Sequence, residues 1–256
     1  MKTASLLPRD PTVSVIIPAL NEEARIAKCI ASVQRALLNT PVESEIIVVD
    51  NGSTDTTNHI ASSFLNVRVI SEPQRSLTRA RQRGFLASRG SFIVNIDADV
   101  LIPEQWFSRA LQAFARNSEL VAVSGPQIFY DLPWYLRELF RIVAVFEFGY
   151  YFLNRHIIGS SSLLLGCNNM IRRQALIKVG GHNTSLDFHG EDADLMRRLN
   201  QVGAISFSFS LLVHGSGRRI RRDGAAITIW RDSTVYLSGM FNKSPLNKAY
   251  VEVRDT

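Results

Sequence analysis

Residues Ser91–Val100 read SFIVNIDADV. Phe92–Ile96 is an apolar run of strand length, and two carboxylates, Asp97 and Asp99, follow it with only Ala98 between them. A short run of this kind, without polar alternation, reads as a strand buried on both faces. Like charges at the mouth of a core repel, and they are costly to desolvate unless something pairs with them. A metal ion, an arginine or solvent each meets that need. On an extended segment, residues two apart project to the same side, so the pair is placed to serve one ligand.

Working outward, the same pattern recurs. Val13–Ile17 (VSVII) is a second apolar run and ends at Pro18; EIIVVD, ending at Asp50, is a third; NVRVI is a fourth. Between them lie helical patterns. In 21–38, Ile26, Ile30, Val33 and Leu37 recur at three- and four-residue steps, with Asn21, Glu22 and Glu23 suited to the N-terminus. TTNHIASSFL and SLTRARQRGFLASRG are the next two helices, with Gly90 expected to stop the second. Strand and helix in alternation predict an α/β fold: a mostly parallel, Rossmann-like sheet flanked by helices. In such sheets ligands collect at the carboxyl ends of the strands. Here those ends are Pro18–Glu22, Asp50–Asp55 and Asp97–Asp99, each acidic or polar.

The second half differs. Leu132–Ile158 is aromatic-rich, with Leu136, Leu139, Phe140 and Val143 on one helical face. LLLGCNNMIRR reads as a strand running into a polar turn. HGEDADLMRRLNQVG reads as a helix stopped by Gly203, and ISFSFSLLVH as one strand ending at His214. The basic tract GSGRRIRRDG follows. No linker separates two domains, so one domain over 1–256 is expected.

The chain has 256 residues, 46% hydrophobic and 20% charged, with a net charge of +6. That fits a globular protein with anionic partners: nucleotides, nucleic acid or an anionic membrane surface. The N-terminal stretch lacks a signal-peptide core, and the two cysteines, Cys29 and Cys167, suggest free thiols in a reducing cytosol. No apolar run reaches the roughly 18–20 residues of a membrane span.

D-x-D occurs twice, the second copy being Asp192 and Asp194 in GEDADL. On a helix, positions two apart point to nearly opposite sides, so only Asp97 and Asp99 are placed to share a cation. That cation would be hard and oxygen-ligated, magnesium or manganese. There is no P-loop, and GSG at 215–217 lacks the third glycine of a dinucleotide fingerprint.

Four blocks together, VSVIIPALNEEARIAKCIASV, EIIVVDNGSTDTT, ARQRGFLASRGSFIVNIDADV and GCNNMIRR…GGHNTSLDFHGEDADLMRRL, resemble the family-2 glycosyltransferases over roughly residues 12–215. The resemblance implies a GT-A fold, a nucleotide-diphosphate-sugar donor, Mn²⁺ or Mg²⁺, and inversion at the sugar carbon. By matching positions, Pro18, Ala19 and Glu22 line the nucleotide. Asp50 accepts a hydrogen bond from the base, and Arg81 stands near base and phosphates. Asp97 and Asp99, flanking Ala98, hold the metal beside the donor. Asp192 is the catalytic base with Glu191 its neighbour at the donor. His214 stands where some members have a metal-contacting histidine. Asn168 and Asn169 either face the donor sugar or form a turn. The chain departs from the family at Asn51, usually Asp, and at Gln82, usually Asn, which puts donor choice in question.

The resemblance assigns about 12–125 to the donor and about 126–256 to a glycan or lipid-linked acceptor. The arginines Arg218, Arg219, Arg221 and Arg222 form a solvated basic loop, fold over the diphosphate, or meet lipid phosphates. The segment 132–158 is either a core helix with acceptor-side packing or an interfacial element, the latter placing the protein peripherally on the inner membrane face. Two other functions fit parts of the chain: a nucleotidyltransferase acting on a sugar phosphate, and a basic nucleic-acid-binding module. Acids at the cleft repel a phosphate backbone, so no nucleic-acid partner is expected.

Overall fold

A computed structural model describes residues 12–153, 163–186 and 190–230. The strands are β1 (Val13–Ala19), β2 (Ser44–Asp50), β3 (Val67–Ser71), β4 (Phe92–Ile96), β5 (Leu120–Ser124), β6 (Gln127–Phe129), β7 (Asn168–Arg172), β8 (Ala204–Phe207) and β9 (Val213–Gly215). The helices are α1 (Ile26–Leu38), α2 (Thr57–Ser62), α3 (Leu77–Ala87), α4 (Trp106–Arg116), α5 (Trp134–Leu153), α6 (Arg173–Lys178), α7 (Glu191–Leu199) and α8 (Arg218–Asp223). Seven strands form one sheet in the order β3-β2-β1-β4-β7-β5-β8, and β6 pairs with β9 beside it. Every pairing in the large sheet is parallel except those of β7, which runs antiparallel to β4 and β5. The expected α/β architecture holds.

Helices cover both faces of the sheet, so its central strands are apolar throughout. Val13, Val15 and Ile17 of β1 pack with Ile30, Trp106 and Phe107 on one side. Ile16 packs with Ala80, Phe85 and Met196 on the other. Pro18 has no N–H to give. It stands beyond the Ile16↔Asn95 pair, where the β4 ladder ends and only β2 still runs alongside.

Several local expectations are corrected. α1 starts at Ile26, because the Glu22 carbonyl already accepts the N–H groups of Arg25 and Ile26 in a preceding turn. α3 ends at Ala87 rather than at Gly90. Gly90 instead donates its N–H to Ser14 Oγ at 2.7 Å, and a Cβ there would lie 2.6 Å from Ser14 N. The order of strand and turn in LLLGCNNMIRR is reversed: the turn precedes, and Asn168 and Asn169 lie in β7. ISFSFSLLVH is broken into β8, a 3₁₀ turn at Phe209–Leu211 and β9. The basic tract is not a loop at 218–223 but α8.

Phe140 and Ala144 of α5 are buried, and Phe140 clusters with Leu132 and with Ile220 of α8. Leu139, expected on that face, is 38% exposed. The opposite side of α5 carries Trp134, Tyr135, Ile142, Val145 and Phe146, each more than half exposed. Phe148 packs inward against Phe209, at 5.1 Å between ring centroids. No helix among the described residues is long and apolar enough to cross a membrane. The rest of the aromatic segment, 154–162, and the termini, 1–11 and 231–256, lie outside the described residues.

Candidate active site at the carboxyl ends of the central strands

β4 ends at Ile96, and Asp97–Val100 is a tight turn closed by the Val100 N–H to the Asp97 carbonyl at 3.0 Å. The pair therefore sits on a turn rather than on extended strand. Ala98 is 4% exposed and belongs to the core. Its methyl is packed within the core.

Each carboxylate has found a different arginine. Arg81, on α3 and only 3% exposed, donates from Nη2 to Asp97 Oδ1 at 3.0 Å and from Nη1 to Asp192 Oδ1 at 3.3 Å, with Glu191 Oε1 at 3.8 Å. Arg218, at the start of α8, binds both carboxylate oxygens of Glu22 and lies 3.3 Å from Asp99 Oδ2. The arginines answer the electrostatic problem set by SFIVNIDADV. Burial raises the carboxyls of Asp99 and Glu22, against the lowering effect of Arg218.

Asp192 and Glu191 open α7, so their charges face the positive end of the helix. Asp192 Oδ2 also accepts the Gly166 N–H at 2.8 Å. Burial nevertheless raises both carboxyls, Glu191 to about 7 with help from the charge of Asp192. The Asp192 side chain is 32% exposed and that of Glu191 12%, so Asp192 is the more open of the two to the cleft. A raised carboxylate facing a cleft is a stronger base than an ordinary one. Gly166 is a position of this cluster that pattern reading missed. A Cβ there would lie 2.1 Å from Asp192 Oδ1 and 2.5 Å from Arg81 Nη1. The glycine between an apolar run and a polar tract was its signal in the sequence.

Other expected site residues are placed differently. Pro18 and Ala19 are buried at the end of β1. Asp50 is 8% exposed, and its oxygens accept from Ser53 N–H at 3.0 Å and Asn58 Nδ2 at 2.9 Å. Asn168 is fully buried. Its amide donates to the Gly125 and Leu211 carbonyls, and its Oδ1 accepts from Trp106 Nε1 at 3.0 Å. Asn169 bonds Asn95 at 2.8 Å inside the sheet. Asn168, expected either at the donor sugar or in a turn, is placed as a fastener of β5, β7 and the 3₁₀ turn.

The two departures from the family pattern also point inward. Asn51 donates to the Glu72 and Gln74 carbonyls and accepts from Ser76 N–H, which an aspartate could not do on both donor bonds. Gln82 accepts the His182 N–H at 2.8 Å.

His214 is tied by its backbone to Leu101, at 2.9 and 2.7 Å, two residues beyond Asp99. Burial and then Arg141 of α5 lower its pKa. Among the described residues no three His, Cys, Asp or Glu side chains are grouped to hold a metal, so the trio Asp97, Asp99 and His214 is not assembled as a cluster. The donor chemistry at the Asp97–Asp99 turn still fits a hard cation. Its oxygens are carboxylate, and the position beside Asp99 and Glu22 is taken by a guanidinium.

A family model described as glycosyl transferase family 2 matches residues 14–180. Succinoglycan biosynthesis protein ExoA of Rhizobium meliloti is 26% identical over 198 residues, 74% of this chain and 58% of that protein. An uncharacterised glycosyltransferase of Bacillus subtilis, EpsJ, is 33% identical over 111 residues, 42% of this chain and 31% of that protein. This chain thus spans less than two thirds of these relatives. Among solved structures, a mannosyltransferase from Pyrobaculum calidifontis in complex with GDP-Man and Mn²⁺ aligns with a TM-score of 0.67 and 19% identity, covering 94% of this chain and 67% of that one. A glucosyl-3-phosphoglycerate synthase from Mycobacterium tuberculosis, with Mn²⁺ and UDP, aligns with a TM-score of 0.55 and 22% identity over 90% of this chain and 79% of that one. Its mostly parallel sheet has the GT-A fold, and by the match to residues 14–180 the chain belongs to glycosyltransferase family 2.

Proposed function

We propose that this protein transfers a sugar, with inversion, from a nucleotide-diphosphate sugar to a hydroxyl of a glycan or lipid-linked acceptor, with a divalent metal. The observation that carries the reading is the convergence of Arg81, Asp97, Glu191 and Asp192 at one strand-end cleft. Asp192 accepts the acceptor proton as the oxygen attacks the sugar carbon, and the bond to the diphosphate breaks on the opposite face. One base and no covalent intermediate give inversion. Arg81 offsets charge near the departing diphosphate. Asp97 and Asp99 would hold Mn²⁺ or Mg²⁺, which supplies further charge neutralisation for that leaving group. His214 is a candidate third ligand.

In this reading 12–125 takes the donor, with Pro18, Ala19, Glu22 and Asp50 around the nucleotide, and 126–256 takes the acceptor. The outward side of α5, apolar except for Glu138, which pairs with Arg141 at 2.5 Å, supports a peripheral contact with a membrane surface and a lipid-linked acceptor. The relatives in polysaccharide biosynthesis agree with a glycan product.

A thermal-shift screen of nucleotide sugars with and without Mn²⁺ tests the donor reading, since a ligand of the native state raises its melting temperature. The matching donor should then release nucleoside diphosphate. Pyrophosphate from a sugar phosphate and a nucleoside triphosphate would instead mark a nucleotidyltransferase. Flotation with anionic vesicles at low salt tests the membrane contact; protein that stays in the soluble fraction argues for a soluble acceptor.

A further inference from the structure

The second D-x-D pair is only half used by this chemistry. Asp194 lies two residues past Asp192, on the far side of α7, and its side chain is 4% exposed. It accepts from Arg197 Nη2 at 3.1 Å and from Arg198 Nε at 2.8 Å. Arg198 in turn donates from Nη1 to the carbonyls of Val179, at 2.7 Å, and Gly181, at 2.6 Å. Gly181 has a φ of +77°, and a Cβ on it would lie 2.4 Å from Gln82 Oε1. The following N–H, of His182, donates to that same Oε1 at 2.8 Å. Further along the loop, Thr78 donates to the Leu186 carbonyl. Thr78 and Gln82 belong to α3, the helix that presents Arg81.

The 179–186 loop is therefore held from α7 by Arg198 and from α3 by Gln82 and Thr78. Those two helices carry the partners that meet in the cleft, Arg81 on α3 and Asp192 on α7. The Arg81–Asp192 contact is partly exposed and polar. A multiply bonded linkage behind it, anchored on the buried Asp194 carboxylate and the buried Thr78–Leu186 bond, is better suited to fix its geometry than that single contact.

We propose that Asp194 and Arg198 are positioning residues: their ion pair sets the roll of α7 against the 179–182 turn, and with it the aim of the Asp192 carboxylate at the acceptor hydroxyl. The proposal rests on the reading of Asp192 as base. It gives the second carboxylate of GEDAD a role that needs no contact with donor, acceptor or metal. Small misplacement of a catalytic group by a remote substitution can cost roughly 10²-fold, so Asp194→Asn and Arg198→Lys should each lower kcat about 10- to 100-fold. Lysine keeps the charge of Arg198 but cannot hold Asp194 and both carbonyls at once. Donor affinity should stay within about twofold of wild type, because the donor half is untouched.

The test measures kcat per folded molecule, donor Kd, and the pH profile of kcat, with Asp192→Asn in parallel. The groups facing Asp192 are Arg81 of α3, Asp97 of the β4 turn, Glu191 of its own helix and the Gly166 N–H. A changed aim alters this set and shifts the profile, whereas a purely structural role lowers the melting temperature and leaves kcat and profile unchanged. Where Asp194→Asn does not fold, Gln82→Met loosens the same loop from the α3 side and should give the same loss. Wild-type kcat and profile in the folded variants, with Asp192→Asn inactive, overturn the positioning role. An active Asp192→Asn overturns the base assignment instead.

Discussion

Replacing Arg81 by methionine keeps an apolar stem of similar reach and removes the guanidinium that faces Asp97, Asp192 and Glu191 at 3.0, 3.3 and 3.8 Å. At an effective dielectric of about 20, a charge pair near 4 Å interacts by about 4 kcal/mol, so three such contacts at face value total about 12 kcal/mol, comparable to the whole stability of a domain. Desolvation offsets most of that, and breaking a buried ion pair from one side costs about 3–5 kcal/mol. At about 2–4 °C per kcal/mol for a domain of this size, the melting temperature should fall by roughly 6–20 °C at pH 8. The loss should also depend on pH. Without Arg81, only backbone N–H groups, that of Gly166 among them, oppose the burial that already raises Glu191 and Asp192. An acid raised in the folded state binds protons more tightly folded than unfolded, so its stabilisation is present at low pH and is lost as pH rises. The deficit against wild type should therefore shrink toward pH 4. Urea denaturation of both proteins at pH 4, 6 and 8 measures it. Equal stability at pH 8, or a deficit that is the same at every pH, refutes the claim that Arg81 holds the cleft's carboxylates together.

Other outcomes follow from the same geometry. Arg218→Gln should raise Mn²⁺ affinity about tenfold, worth about 1.4 kcal/mol, by removing the guanidinium that competes at Asp99 and Glu22; titration followed by electron paramagnetic resonance reads it, and unchanged or weaker binding contradicts the competition. Gly166→Ala should cut transfer at least about tenfold while the protein stays folded, because the new methyl would lie 2.1 Å from Asp192 Oδ1 and must displace the base; steady-state kinetics with circular dichroism checks this. In the wild type, transfer should rise with pH as the Glu191–Asp192 pair ionises, up to about pH 7, while stability falls over the window from 4.5 to about 7 in which the folded protein holds the extra proton. Parallel rate and denaturation profiles would show the two trends running in opposite directions.

Much of this was legible in the chain. VSVII, EIIVVD and FIVNI are apolar on both faces because helices cover both sides of the sheet, and their acidic ends mark the cleft. What the sequence left open was which arginine meets which carboxylate. Arg81 and Asp192 are 111 residues apart, and Arg218 and Glu22 are 196 apart; only the folded sheet brings them together. Asn168 misled because a polar pair after LLLG resembles a turn. In the fold it is a buried strand residue whose amide donates to the Gly125 carbonyl just past β5 and to the Leu211 carbonyl of the 3₁₀ turn. The exposed side of α5 was hidden because the helix is apolar on two faces, and periodicity alone does not say which one faces the core.

The most direct test of the central claim is a single-turnover measurement on Asp192→Asn with the matching nucleotide sugar, Mn²⁺ and acceptor. The account predicts donor binding close to wild type and transfer slower by roughly 10²–10⁴-fold, the scale of a lost general base. Transfer at the wild-type rate would contradict it and leave Asp192 only the task of holding Arg81 and the start of α7.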